Sequence, residues 1–258
     1  MKRLLAIAAI ALCGTALADW NPGDPNTKWA QLPDRNGWDV RLTLPAPQPP
    51  AVADDFLCTQ TGPITDVHLW ISMRGDQPTP PIQSLIDISF WSDVPAGAGQ
   101  LPYSTPGQLL WDRIFTPQQF TVRTNGTGLQ GWYDPFNQLV LPNNHQQTWQ
   151  LNLVDIQQPF VQQDDTVYWL GVSFEPGWGE AGWKTSTDHW GDDAVWWNFN
   201  AGGWTELSDP RTQHSLDMAF VLTSTAVPEP ATMAMNGIML VGLGLGGLWY
   251  RRAKKQKA

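Results

Sequence analysis

Six tryptophans crowd the stretch from Gly177 to Trp204: Trp178, Trp183, Trp190, Trp196, Trp197 and Trp204. Glycines, Asp188, His189, Asp192 and Asp193 lie among them. Flat indoles stack on pyranose faces and carboxylates bond sugar hydroxyls, so Trp183, Trp190, Asp192, Asp193 and Trp196 are candidate ligand-binding residues for an extracellular polysaccharide. The competing reading is that large aromatics fill a loop-rich core. Three acidic pairs, Asp54-Asp55, Asp164-Asp165 and Asp192-Asp193, offer the oxygen ligands that calcium prefers. No D-x-D-x-D-G loop accompanies them, so solvated turns explain them as well. No cofactor is expected, with a structural calcium as the one candidate, and metal ligands stay unassigned.

A hydrolase needs an acid–base pair or an activated nucleophile. Glu175 and Glu180 flank Trp178 and are the nearest approach to such a pair. The four histidines, His68, His145, His189 and His214, show neither H-x-x-x-H nor H-E-x-x-H spacing. There is no G-x-S-x-G, phosphate loop or cysteine cluster. No catalytic residue is assigned, and the chain is read as a non-enzyme.

These residues must be positioned by strands. Val67, Leu69, Ile71 and Met73 alternate with Asp66, His68, Trp70 and Ser72. The same period of two recurs in 86–91, 149–153 and 216–222, and each such run reads as a half-buried strand. Val167 to Phe174 is apolar on both faces and reads as a central strand. Shorter strands are expected at 52–58, 109–115 and around Trp132. Clusters such as Asn125-Gly126-Thr127-Gly128 read as turns between strands. No helical period and no internal repeat appear. The expected fold is all-β, an antiparallel two-sheet sandwich of jelly-roll type. Asp19 to Leu44 should pack on it through Trp29 and Trp38, and the proline-rich 45–50 should be an extended connector.

From Asp19 to Val227 there are 8 basic and 23 acidic residues, a net charge of −15. Such a body repels nucleic acid and anionic membrane. Cys58 is its single cysteine, so an intramolecular disulfide is excluded and a buried, inert thiol is expected.

Both ends read as addresses. Met1-Lys2-Arg3, the apolar run Leu4 to Leu12 and Ala16-Leu17-Ala18 form a signal peptide over 1–18. Cleavage after Ala18 by signal peptidase leaves Asp19 first. At the other end, Val227-Pro228-Glu229-Pro230 precedes the apolar run Ala231 to Tyr250, long enough for one transmembrane helix. The basic tail 251–258 opens with Arg251-Arg252 and should stay cytoplasmic. The organisation is therefore a signal peptide (1–18), a body (19–223), and a linker with sorting tail (224–258).

The Pro-Glu-Pro, the glycine-rich helix and the Arg pair, in that order, resemble the PEP-CTERM sorting signal. The resemblance implies an exosortase partner, transient insertion in the inner membrane, removal of the helix, and release to the cell surface or extracellular matrix. The body resembles an uncharacterised domain of exported bacterial proteins. That resemblance rests on Ala53-Asp54-Asp55-Phe56, Gly62 to Trp70, Gly182-Trp183-Lys184-Thr185-Ser186, Asp188-His189-Trp190, Asp192 to Trp196 and Leu216 to Phe220. It implies a β-sandwich and no known activity. The reading favoured is an exported, non-catalytic surface or matrix protein. A carbohydrate-binding module is the alternative, and a polysaccharide-active hydrolase stands third.

Overall fold

The computed structural model describes residues 19–44, 50–77, 84–99, 101–176 and 179–224. The signal peptide, the connector 45–49 and the sorting tail with its helix lie outside the described residues. Among the described residues fifteen strands form the body: β1 (Thr27–Gln31), β2 (Trp38–Arg41), β3 (Val52–Cys58), β4 (Gly62–Ile64), β5 (Asp66–Met73), β6 (Ile86–Val94), β7 (Thr105–Phe115), β8 (Phe120–Asp134), β9 (Leu139–Leu153), β10 (Phe160–Gln162), β11 (Thr166–Phe174), β12 (Ala181–Lys184), β13 (Val195–Asn198), β14 (Gly203–Glu206) and β15 (Phe220–Thr223). The all-β expectation holds. One sheet runs β1-β15-β5-β12-β2-β8-β9 and the other β14-β13-β3-β11-β6-β7, with β4 and β10 as a small third pair.

The period-two pattern explains the core between the sheets. Val67, Leu69, Ile71 and Met73 from β5 meet Ile86, Ile88 and Phe90 from β6 and Leu170, Val172 and Phe174 from β11 in one buried cluster. Phe90 stacks on Phe160 with ring centroids 4.7 Å apart, and Phe56 packs edge-on to Phe90 and Phe220. Such rings bury large areas and favour these offset and T-shaped contacts. Cys58 lies in this core and donates its thiol to the Gln60 carbonyl.

Two expectations are corrected. β5 is not half-buried: all eight residues are buried, its polar face included. Asn125 to Gly128 does not separate strands but lies inside β8, where register shifts between Thr124 and Trp132 bend the strand. Gly126, at φ 132°, supplies a backbone geometry that other residues rarely adopt. Within the antiparallel sandwich one pairing is parallel, that of β2 with β8.

The bent β8–β9 hairpin closes a circuit. β5 pairs with β12, β12 with β2, β2 with β8, β8 with β9, and β9 again with β5. Many side chains on the face of these strands away from the sandwich core, among them Asp39, His68, Ser72, Gln130, His145 and Lys184, are buried. Most of them are polar, and they hydrogen-bond to one another, as buried polar groups must.

Candidate functional site

A groove of about 600 Å³ opens beside the start of β2 and the end of β12. Asp34, Asn36, Arg211, His189 and His214 line it, and Trp38 lies in its wall. The loop before β2 is held to the strand end by Asp34 N–H donating to the Thr185 carbonyl. A Cβ at Gly37 would lie 2.3 Å from Thr185 Oγ1, so glycine permits this close approach. Asp209 organises the far wall. Its carboxylate accepts Trp38 Nε1 at 2.9 Å and the backbone N–H groups of Arg211 and Thr212. Burial alone would raise this carboxyl, but those donors outweigh it and hold it below its ordinary range.

His189 edges the groove with two oxygens at one nitrogen. Ser215 Oγ lies 3.5 Å and Asp217 Oδ1 3.6 Å from its Nδ1. A serine hydrolase needs the carboxylate and the hydroxyl on opposite ring nitrogens. This arrangement cannot relay a proton in that way, and Ser215 Oγ instead donates to Asp193.

Behind the groove, Asp217 joins a buried carboxylate cluster. Asp54 and Asp217 both accept from Gln31 Nε2, at 3.2 and 3.5 Å. Asp54 also accepts Met218 N–H at 2.7 Å. Burial first, and then the charges of Asp217 and Asp55, push Asp54 well above the usual carboxylate range. Burial raises Asp55 to about 8 and Asp217 to about 6.

The acidic pairs expected to suit calcium are used otherwise. Asp54 turns toward Gln31, whereas Asp55, on the other face of β3, accepts Asp192 N–H. Asp164 and Asp165 lead the turn into β11, with Asp165 at φ 56°. Asp192 accepts the backbone and hydroxyl of Ser104. Among the described residues no three metal-capable side chains converge.

The tryptophan-rich segment is dispersed by the fold. Trp183 is fully buried in the core, and its indole donates to the Ala219 carbonyl at 2.7 Å. It offers no face to a ligand, which corrects its place among the candidates. Trp196 packs on the same core from partial burial. Trp190 lies edge-on to Trp29 at 5.2 Å. Trp197 and Trp204 pair across β13 and β14 at 5.3 Å. Trp178 lies outside the described residues. Glu180 is held between Arg41 and Arg74, and a carboxylate so clamped is a poor general acid. Asp19 is the first described residue and contacts Asn152 and Arg123. Ala16, Ala18, Val227, Pro228, Glu229, Pro230, Arg251 and Arg252 lie outside the described residues.

One cluster escaped the sequence reading. Inside the closed circuit, Asp39 Oδ2 meets Lys184 Nζ at 2.6 Å and His145 Nε2 at 2.8 Å, and all three side chains are fully buried. Burial opposes the Asp39 charge, but Lys184 and His145 outweigh it and hold the carboxyl below its ordinary range. Ser72 and Thr148 both donate to Gln130 Oε1, a separate buried polar set inside the same circuit. The signal was there in outline: between Asp19 and Thr223 only Lys28 and Lys184 are lysines, and Lys184 directly follows Ala181-Gly182-Trp183, with no charge among them.

A family model described as a domain of unknown function, DUF7901, matches residues 27–223. The chain belongs to the DUF7901 family. The match covers β1 through β15, so the DUF7901 body is the whole described sandwich. A second model, the PEP-CTERM protein-sorting motif, matches residues 226–255. This DUF7901 protein is therefore an exported protein that transits the membrane and is sorted by an exosortase. No curated protein and no solved structure matches the chain.

Proposed function

We propose that the DUF7901 body is a non-catalytic protein of the cell surface or extracellular matrix, freed there when its tail is removed. One observation carries this reading. The two clusters of buried titratable groups, around Asp39 and around Asp54, lie beneath the surface, where no polymer can reach them. The exposed His189 meets both its oxygen partners on one nitrogen.

Tail removal is testable first. Replacing Pro228, Glu229 and Pro230 by Ala should leave full-length protein in the membrane fraction, while the native chain appears shortened and released. Immunoblots of the fractions distinguish the two, and equal release of both chains would make the motif idle.

The groove favours a second reading, carbohydrate binding. Its size suits a small ligand, and its carboxylate, amide, guanidinium and imidazole groups can bond hydroxyls. A glycan array with the processed protein separates the two. Under the first reading no glycan is retained and no sugar is released from any polymer. Retention that Arg211→Ala or His214→Ala weakens about tenfold or more, at unchanged melting temperature, would replace it with the second; tenfold corresponds to about 1.4 kcal/mol.

A further inference from the structure

We propose that Lys184 and Asp39 condense into a side-chain amide, a self-made covalent staple between β2 and β12, with His145 carrying the proton. The two residues face each other in register across the antiparallel pair. Nζ and Oδ2 are 2.6 Å apart, so the amine and the carboxyl are held side by side without any search. Fixing reactants in this way removes much of the entropic barrier to bond formation.

The surroundings fit a condensation better than a lasting ion pair. Asp39 Oδ1 and Trp132 Nε1 are both buried without a partner. Trp132 sits beside Asp39 in the parallel β2–β8 register, with its ring edge-on to His145 at 6.3 Å. A Cβ at Gly182 would lie 2.8 Å from the Trp132 ring and 2.9 Å from Asp39 Cβ, so glycine lets the indole close over the pair. Two charges sealed in this way, with one carboxylate oxygen unbonded, pay heavily for lost hydration. A neutral amide removes both charges.

The step balances without a co-reactant. The ammonium proton passes to the carboxylate, giving a neutral amine and a carboxylic acid. The Nζ lone pair attacks Cγ and the N–C bond forms. His145 Nε2, 2.8 Å from Oδ2, takes a proton from the nitrogen and delivers it to that oxygen. The Cγ–Oδ2 bond breaks, one water leaves, and His145 returns to its starting state. Nothing is oxidised or reduced. The released water escapes to solvent, and a sealed interior gives little chance of the reverse hydrolysis. The staple would join positions 145 apart in a body whose lone cysteine can form no internal disulfide.

Intact mass of the processed protein, followed by tryptic mapping, tests this. The expected chain is lighter than its sequence by one water, resists cleavage after Lys184, and yields a branched peptide joining the Asp39 and Lys184 segments. Lys184→Arg should restore the full mass and remove the branched peptide. His145→Ala should slow the condensation by about 10²–10⁴-fold, the usual contribution of a positioned acid–base group, and leave mostly unlinked chains. A native chain at full mass, or a water loss that maps to linear peptides elsewhere, overturns the staple. A His145→Ala chain linked as fast as the native one overturns the role of His145. The native mass and peptide map decide the matter even if a variant fails to fold.

Discussion

The body should lose thermal stability as pH rises from about 4 to about 9, the reverse of ordinary acid denaturation. Four carboxyls carry this expectation. Burial raises Asp55 to about 8 and Asp217 and Asp87 to about 6, and Asp54 is pushed well up by burial and by its acidic neighbours. In the unfolded chain each titrates near its ordinary value of about 3.9. Between the two values the folded state binds more protons than the unfolded state, so stability falls with rising pH. Their contribution is complete below about pH 4 and is lost as pH passes through about 6 and then about 8. Each tenfold difference in proton affinity between the folded and unfolded chain is worth about 1.4 kcal/mol, so Asp55 alone weakens the fold by on the order of 5 kcal/mol across the window. Asp209 acts oppositely, but its lowered value places the loss of its stabilisation in acid, below about pH 4. Melting curves at successive pH values check the trend. Asp55→Asn should flatten the upper part of the profile, because the amide keeps an acceptor for Asp192 N–H and carries no charge. A melting temperature that holds steady or rises between pH 5 and 8 would refute this account.

Trp183→Ala should cost about 3–5 kcal/mol of stability, the usual loss for removing a large ring from a packed core. The indole is fully buried, packs on Phe220 with centroids 5.9 Å apart, and bonds the Ala219 carbonyl. Truncation leaves a cavity between the sheets and an unpaired carbonyl. Trp190→Ala should cost far less, because that ring is only partly buried, against Trp29. Denaturant melts of the two variants distinguish core from surface roles. A stable Trp183→Ala chain that had lost a glycan affinity would show the opposite, that the ring serves a ligand.

The strands were legible because period two is a local property. Val52 to Cys58 and Val167 to Phe174 were read almost to the residue. The sorting tail was legible for a similar reason. Charge, apolar length and a short proline motif are read along the chain and need no fold to be recognised.

What failed were the judgements of exposure, which depend on what a second strand covers. Asp66, His68, Trp70 and Ser72 look solvent-facing in sequence because they are mostly polar, yet the bent β8–β9 hairpin and neighbouring segments bury them. Alternation tells which residues share a face but not what lies over that face. The tryptophan-rich segment failed likewise. One stretch of sequence sends Trp183 into the core, Trp190 against Trp29 and Trp197 onto a hairpin, because the fold turns these rings to different layers.

By itself, then, the sequence determined an all-β body, its acidic charge, the absence of an internal disulfide and the sorting address, all sums or short-range patterns. Only the tertiary structure decided which polar groups are sealed and which meet. Asp39, His145 and Lys184 come from β2, β9 and β12, far apart in the chain, and their contact exists because the strand circuit closes. Burial then sets their chemistry, since shutting charged groups from water is what makes their pairing, their protonation and their reactivity differ from those of the same residues on a surface.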